Sequence, residues 1–195
     1  MPSAAENKKI KRKRILDSAF NLFSISSVTS TAVDDIVKMA GVAKGTFYLY
    51  FKDKYDLLDQ IVIYKSAELL VNAIKFVKNS VKSKALNDMI LCMVSYVCDF
   101  LEKNKNFTTL LDKKLSLCVR AFFSGESEEY SSIGHTLVSQ FVVNGYSERD
   151  AQMTIYLITD LVGSVMCDAV MGNIPFSMDE VKEYLKNSVF RILEA

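Results

Sequence analysis

Residues 40–58 read AGVAKGTFYLYFKDKYDLL. Gly41 is predicted to end one short helix, because glycine readily adopts the left-handed conformation found at helix C-termini. A second short helix is predicted from about Ala43 to Phe51, with Phe47 and Phe51 on its buried side and polar side chains opposite. Two short helices separated by a glycine turn are typical of a helix-turn-helix.

The sequence on both sides of this motif predicts more helices. Only seven glycines and two prolines occur in 195 residues, so residues that break helices are scarce. Apolar residues recur at helical spacing in segments at about 7–24, 33–40, 54–83, 85–103, 106–124, 127–144, 148–172 and 178–194. We therefore predict an all-α fold, in which an N-terminal three-helix helix-turn-helix domain is joined by a long helix to a larger C-terminal helical domain.

The distribution of charge also divides the chain near residue 54, where the long helix is predicted to begin. Residues 1–54 carry ten Lys and Arg against five Asp and Glu, whereas residues 55–195 carry fourteen against eighteen. A basic excess at one end is expected when that end alone meets a polyanion. We assign residues 1–54 to a DNA-binding domain and residues 55–195 to a second, larger domain.

Three stretches resemble the TetR family of transcriptional regulators: RILDSAFNLF at 14–23, VDDI at 33–36, and AGVAKGTFYLYFKDKYDLL at 40–58. The resemblance implies a homodimer, a three-helix DNA-binding domain and an effector pocket in the larger domain. Residues 55–195 are therefore expected to form an effector-binding and dimerisation domain. Two positions depart from the family pattern. Ser27 stands where a glycine is usual, and Ala32 stands where a hydroxyl residue is common, so a phosphate contact at Ala32 is expected to be lost.

The resemblance also implies which side chains contact DNA. We expect Lys44 and Thr46 nearest the bases, with Gly45 allowing close approach of the backbone. The remaining positions, expected mostly at phosphates, are Tyr48, Tyr50 and Lys54. The alternative, that the two tyrosines only fill the core, stays open. Lys11 and Arg12 belong to a run of six positive charges within residues 8–14, which is either a solvated face or an arm along the phosphates.

The last two helices predict a dimer. The final helix has an apolar stripe covering about half its circumference, and the helix before it is apolar nearly all round. Such surfaces favour a four-helix bundle made by two subunits, although a large monomeric core is the alternative. The predicted interface comprises Leu157, Leu161, Ser164, Val181, Leu185, Ser188 and Ile192.

The middle helices predict an adaptable, mostly apolar pocket for a lipophilic molecule, because they are rich in methionine and aromatic residues. The predicted contacts are Met93, Tyr96, Phe100, Phe122, Tyr156 and Asp160. Plain core packing is the alternative for the first five. Asp160 would orient a polar or cationic group, cap a neighbouring helix or pair across the dimer.

Other functional classes lack their signatures. The chain has no phosphate-binding glycine loop, and one histidine without a Cys/His cluster predicts neither catalysis nor a metal site. We expect no cofactor, buried free cysteines, no membrane span and a cytoplasmic location. The function predicted is a sequence-specific DNA-binding regulator: a repressor that leaves a palindromic operator in double-stranded DNA when a small-molecule effector binds. The alternative is a DNA-binding protein with an architectural or division-linked role and no effector.

Overall fold

The structure is a computed structural model that describes residues 3–83, 85–111, 114–124 and 128–194. These residues form helices joined by short loops, without any strand, which confirms the predicted all-α fold. In chain order the helices are α1 (Ala4–Ile25), α2 (Val33–Ala40), α3 (Lys44–Tyr48), α4 (Lys54–Ser80), α5 (Leu86–Lys103), α6 (Lys105–Leu111), α7 (Leu115–Phe123), α8 (Glu128–Val142), α9 (Glu148–Met171) and α10 (Met178–Leu193).

The chain divides into two compact units between Tyr64 and Lys65, further along α4 than the predicted boundary after residue 54. The first turns of α4 belong to the N-terminal unit because they take part in its packing. Leu57 and Ile61 are fully buried, and the Gln60 side chain accepts a hydrogen bond of 2.7 Å from Arg12 of α1. A single helix, α4, is thus shared by both units.

The N-terminal unit is built on α1 and α2. A capping box opens α1: the Ser3 hydroxyl accepts from the Glu6 amide at 3.2 Å, and the Glu6 carboxylate accepts from the Ser3 amide at 2.6 Å. This cap explains why α1 begins before the predicted residue 7. The helices pack through buried aliphatic and aromatic side chains of residues 15–23 and 36–40. Gly41 ends α2 at φ 61°, as predicted.

The C-terminal unit is organised around α9, which packs against α5, α6, α7, α8 and α10. A single helix over 106–124 was wrong, since α6 ends at Leu111 and α7 begins at Leu115. The Lys114 amide closes a turn onto the Leu111 carbonyl at 2.7 Å instead of continuing α6. The Lys182 ammonium of α10 binds Asp99 of α5 at 2.6 Å and so ties the last helix to the core.

Helix α9 is long and apolar. Among the described residues it is the helix with the length and mean hydropathy, 1.5, that a membrane span requires. Core helices of soluble proteins have the same composition, and α9 packs against five others. Its exposed face nevertheless remains rich in apolar side chains.

Candidate nucleic-acid interface and ligand cavity

A buried phenylalanine fixes α3 on the N-terminal unit. Phe47 is fully buried, and its ring lies 5.6 Å from the ring of Phe51 and 5.2 Å from that of Tyr48. Because Phe47 occupies the inner side of a five-residue helix, the other side chains of α3 point away from the core. With Phe47 pointing inward, α3 therefore presents a polar outer face.

Three of the predicted DNA-contacting residues lie on this outer face. Lys44 and Gly45 are exposed, and Tyr48 is half exposed. A Cβ added at Gly45 would meet no atom within 4 Å, so a ligand backbone can approach the helix closely there. Thr46 and Tyr50 are partly buried, which leaves the core alternative open for Tyr50.

Lys44 already has a carboxylate partner. Its ammonium lies 2.8 Å from Asp34 of α2, and both side chains are more than half exposed. The hydrogen bond that this ammonium donates to Asp34, together with the negative charge of the carboxylate, raises the pKa of Lys44. The ammonium thus remains a cation, yet it must share its hydrogen bonds with Asp34 or leave it to bind DNA. Sequence reasoning named Lys44 but missed this partner, which lies one helix away.

Lys54 binds its own chain. Its ammonium donates hydrogen bonds to the carbonyls of Thr29 at 2.6 Å and Thr31 at 3.2 Å. The loop that it holds also contains Ser27, whose hydroxyl accepts from the Ser30 amide at 3.2 Å. The serine that replaces the family glycine therefore stabilises a turn. Lys54 fastens the start of α4 to this loop.

Ala32 leaves the start of α2 without a side-chain cap. It occupies the N-cap position and makes no side-chain hydrogen bond to the helix amides. The expected loss of a phosphate contact at Ala32 stays a prediction.

The basic run of α1 is divided between the surface and the fold. Lys11 is exposed, together with Lys8, Lys9 and Lys13. Arg12 is partly buried: it donates to Gln60, and its guanidinium lies 5.8 Å from the centre of the Phe51 ring. Arg14 covers the turn after α2, because a Cβ at Gly41 would come within 2.6 Å of its guanidinium. Lys11 therefore remains exposed to solvent, whereas Arg12 takes part in packing.

The C-terminal unit contains a partly open cavity of about 90 Å3. Met93 and Phe122, two of the predicted effector contacts, line it. Its other lining residues are Ser66, Leu69, Leu70, Ile90, Val94, Val97, Cys118, Leu137, Phe141, Ile155, Ile158, Thr159 and Val162. No described charged side chain is among them. The sequence did not predict that Ser66, Leu69 and Leu70 of α4 would line the cavity, because this helix was interpreted only as a connector between the domains.

The other predicted effector contacts lie outside this lining. Tyr96 packs on Phe76 with ring centres 5.0 Å apart, and Phe100 packs on Phe107 at 6.0 Å. Tyr156 and Asp160 lie on the exposed side of α9. Asp160 needs no buried partner, since water solvates its carboxylate. An apolar helix has no distinct inner face in its sequence, so periodicity could not tell which side of α9 faces the cavity.

The residues predicted for a dimer interface differ in their burial within one subunit. Val181 and Leu185 are 5% and 3% exposed within one subunit, so they belong to its own core against α5 and α9. Leu161, Ser164, Ser188 and Ile192 are partly buried. Leu157 is 49% exposed. Apolar side chains left exposed on α9 and α10, which the predicted interface omitted, are Met153, Tyr156, Met171, Tyr184 and Phe190.

Metal chemistry finds no support in the described part of the chain, where no group of three His, Cys, Asp or Glu side chains could hold an ion. Burial raises the pKa values of the Cys98 and Cys118 thiols to about 11, which favours the unreactive neutral form.

Comparison with known proteins agrees with the helix-turn-helix geometry. The family model described as bacterial regulatory proteins, tetR family, matches residues 15–61. The chain is similar to the HTH-type transcriptional regulator AcrR of Shigella flexneri, with 50% identity over 50 residues that cover 26% of this chain and 23% of that regulator. The chain spans about a quarter to a half of the length of the first curated relatives that it matches.

Solved structures share the fold over nearly the whole chain. A TetR transcriptional regulator from Rhodococcus sp. RHA1 has a TM-score of 0.71 at 17% identity, with 96% of this chain and 98% of that chain covered. The transcriptional regulator FadR from Bacillus subtilis, in complex with stearoyl-CoA, has a TM-score of 0.54 at 21% identity, with 93% and 96% covered. Both likenesses extend the shared architecture to the C-terminal unit.

Proposed function

Because the chain belongs to the TetR family of transcriptional regulators, we propose that it binds a specific DNA sequence through α3 and regulates transcription. The observation that carries this proposal is the division of α3 into a buried anchor, Phe47, and an outer face formed by Lys44, Gly45 and Tyr48. A helix held in this way can enter the major groove with its polar side chains toward the base edges. The exposed lysines of α1 would bind phosphates.

We further propose that the protein acts as a homodimer on a palindromic operator. The exposed apolar side chains of α9 and α10 supply a surface that a second copy would cover. Two recognition helices would then be separated by about one DNA turn, roughly 34–36 Å. This role also agrees with the proposed cytoplasmic location.

The effector part of the proposal rests on the cavity and on α4. Ligand pockets commonly measure about 300–1,000 Å3, so a cavity of about 90 Å3 must expand to admit an effector. Leu69 and Leu70 of α4 form part of its wall, and α4 begins at Lys54, which holds the loop at residues 29–31. Expansion that displaces α4 would therefore reach the helix-turn-helix. A coupling of about 1–3 kcal/mol is typical of such linkage.

We propose that an effector releases DNA, so that the protein is a repressor. One relative of the same fold was solved with stearoyl-CoA, and an apolar cavity suits a lipophilic ligand in this chain as well. The alternative of an architectural DNA-binding protein predicts that no lipophilic molecule changes DNA affinity.

A binding-site selection followed by fluorescence anisotropy tests the DNA proposal. A selected palindrome should bind with an affinity that falls steeply as salt rises, because phosphate contacts release counterions. Lys44→Ala should weaken binding by about 1–3 kcal/mol and relax specificity. Lys75→Ala removes another exposed positive charge, from the C-terminal half of α4, and is the matched control. Failure to select any sequence would contradict the proposal.

Light scattering tests the dimer. Leu157→Asp should give monomers, because it places a charge in the proposed interface. Val143→Asp introduces the same change at an exposed position after α8 and should leave the dimer intact. A dimeric Leu157→Asp variant would place the interface elsewhere.

A further inference from the structure

We propose that the cavity selects uncharged lipophilic molecules that carry one hydrogen-bonding group, and that the Ser66 hydroxyl binds this group. The inference rests on the effector role proposed above and specifies the ligand class of that site. It replaces Asp160, which lies on the exposed side of α9, as the polar contact.

The lining excludes ionic ligand groups. Twelve of its fifteen residues are aliphatic, aromatic or methionine, and the other three are Ser66, Cys118 and Thr159. A carboxylate or ammonium that entered would lose its hydration and meet no opposite charge in the lining. Neutral molecules avoid this penalty, so charge is the first criterion of selection.

Ser66 supplies the second criterion. Its side chain is 2% exposed, and its hydroxyl oxygen has no hydrogen-bond partner in the structure. Buried hydroxyl groups are usually paired, because an unpaired one retains the cost of lost hydration. A serine in a helix often satisfies itself on the preceding turn, yet Ser66 does not. Its hydroxyl is therefore available to a molecule inside the cavity.

Cys118, which also lines the cavity, does not satisfy the Ser66 hydroxyl. The Ser66 hydroxyl lies near the Cys118 thiol and lowers its pKa as a hydrogen-bonding neighbour, although the two atoms do not meet hydrogen-bond geometry; burial is the larger effect and raises the pKa of the thiol to about 11. The sulfur therefore remains a neutral thiol at physiological pH, and a thiol is a weak hydrogen-bonding group. A ligand carbonyl or hydroxyl oxygen would be a stronger partner for Ser66.

The size of the cavity determines the probes. An engineered protein cavity of about 150 Å3 binds benzene, whereas this one measures about 90 Å3. Met93 in the wall has a flexible side chain that can make room for a single ring. Toluene, benzyl alcohol, benzoate and benzylammonium have nearly the same shape and differ in polarity and charge.

The experiment is a titration of the full-length protein with each probe, followed by NMR of isoleucine methyl groups labelled with carbon-13. Ile90, Ile155 and Ile158 line the cavity, whereas Ile15 and Ile36 lie in the N-terminal unit and report non-specific effects. Benzyl alcohol and toluene should shift the three cavity methyls, and the two ions should not. Tighter binding of benzoate or benzylammonium than of benzyl alcohol would overturn the proposed selectivity, as would no binding of any probe.

Ser66→Ala tests the hydrogen bond. It should weaken benzyl alcohol about threefold to tenfold and leave toluene unchanged. The matched control is Ser131→Ala in α8, which removes another buried hydroxyl without a partner, outside the cavity lining. Equal losses for both probes, or no loss for benzyl alcohol, would overturn the role of Ser66.

Fluorescence anisotropy with the selected DNA, without any probe, is measured on the unsubstituted protein and on the Ser66→Ala and Ser131→Ala variants. DNA binding by all three, combined with a failed probe titration, would refute the ligand class and leave the DNA-binding function intact. Failure of the unsubstituted protein to bind the selected DNA would refute the proposed function. The NMR titration would still decide whether the cavity selects neutral molecules.

Discussion

Asp34→Asn is expected to strengthen DNA binding. Asp34 holds the Lys44 ammonium at 2.8 Å in the free protein, and both side chains are more than half exposed. A Lys44 that binds a base or a phosphate must give up part of this ion pair. Exposed ion pairs contribute about 0.2–1 kcal/mol, so their removal should raise affinity by about 1.4-fold to fivefold at 25 °C.

Asp35→Asn is the matched control. Asp35 is also exposed in the first turn of α2, so the two substitutions remove the same charge and the same favourable interaction with the helix dipole. Both should reduce the general repulsion of DNA. Only Asp34→Asn should add the gain from releasing Lys44.

A double-mutant cycle with Lys44→Gln isolates this gain. Anisotropy with the selected operator, at two salt concentrations, gives the four affinities that the cycle requires. Asp34→Asn should have a larger effect when Lys44 is present than in the Lys44→Gln background. Equal effects in both backgrounds, or an effect no larger than that of Asp35→Asn, would refute the competition between Asp34 and DNA.

Three further predictions concern stability. Arg12→Ala should lower the free energy of unfolding by about 1–2 kcal/mol in urea, because it loses the Gln60 hydrogen bond and the Phe51 ring contact; Lys11→Ala should leave stability unchanged, and equal losses would contradict the different placement of the two residues. Leu185→Asp should unfold the subunit, with loss of the helical circular dichroism signal, because the side chain is 3% exposed; a folded monomer would show that it lies in the interface instead. The stability of the folded chain should fall as pH rises from about 9 to about 11, since burial raises the pKa of Cys118 from 9.0 to about 11 and the unfolded thiol ionises first. Urea unfolding at several pH values should show a smaller fall for Cys118→Ala.

Local chemistry explains why the helices and the helix-turn-helix could be predicted. Gly41 ends α2 because its left-handed conformation is intrinsic to glycine. Phe47 is buried because the polar residues around it leave α3 a single apolar side. These features depend on neighbours a few residues away, which the sequence displays directly.

Partners distant in the chain were decided by the tertiary structure. Arg12 binds Gln60, and Lys54 binds carbonyls at residues 29 and 31, so two cations predicted for DNA stabilise the N-terminal unit. Nothing in a run of basic residues indicates which members find such partners. Charge alone therefore predicted the basic surface but not its composition.

Apolar helices show the same division in the C-terminal unit. By sequence alone, Val181 and Leu185 lie on an apolar stripe, but packing against α5 and α9 turns both of them inward and leaves Leu157 exposed. The pattern determined that these helices would bury a wide surface. Which side faces the core, the cavity or the outside depends on the helices packed around them, because hydrophobic burial has no direction of its own.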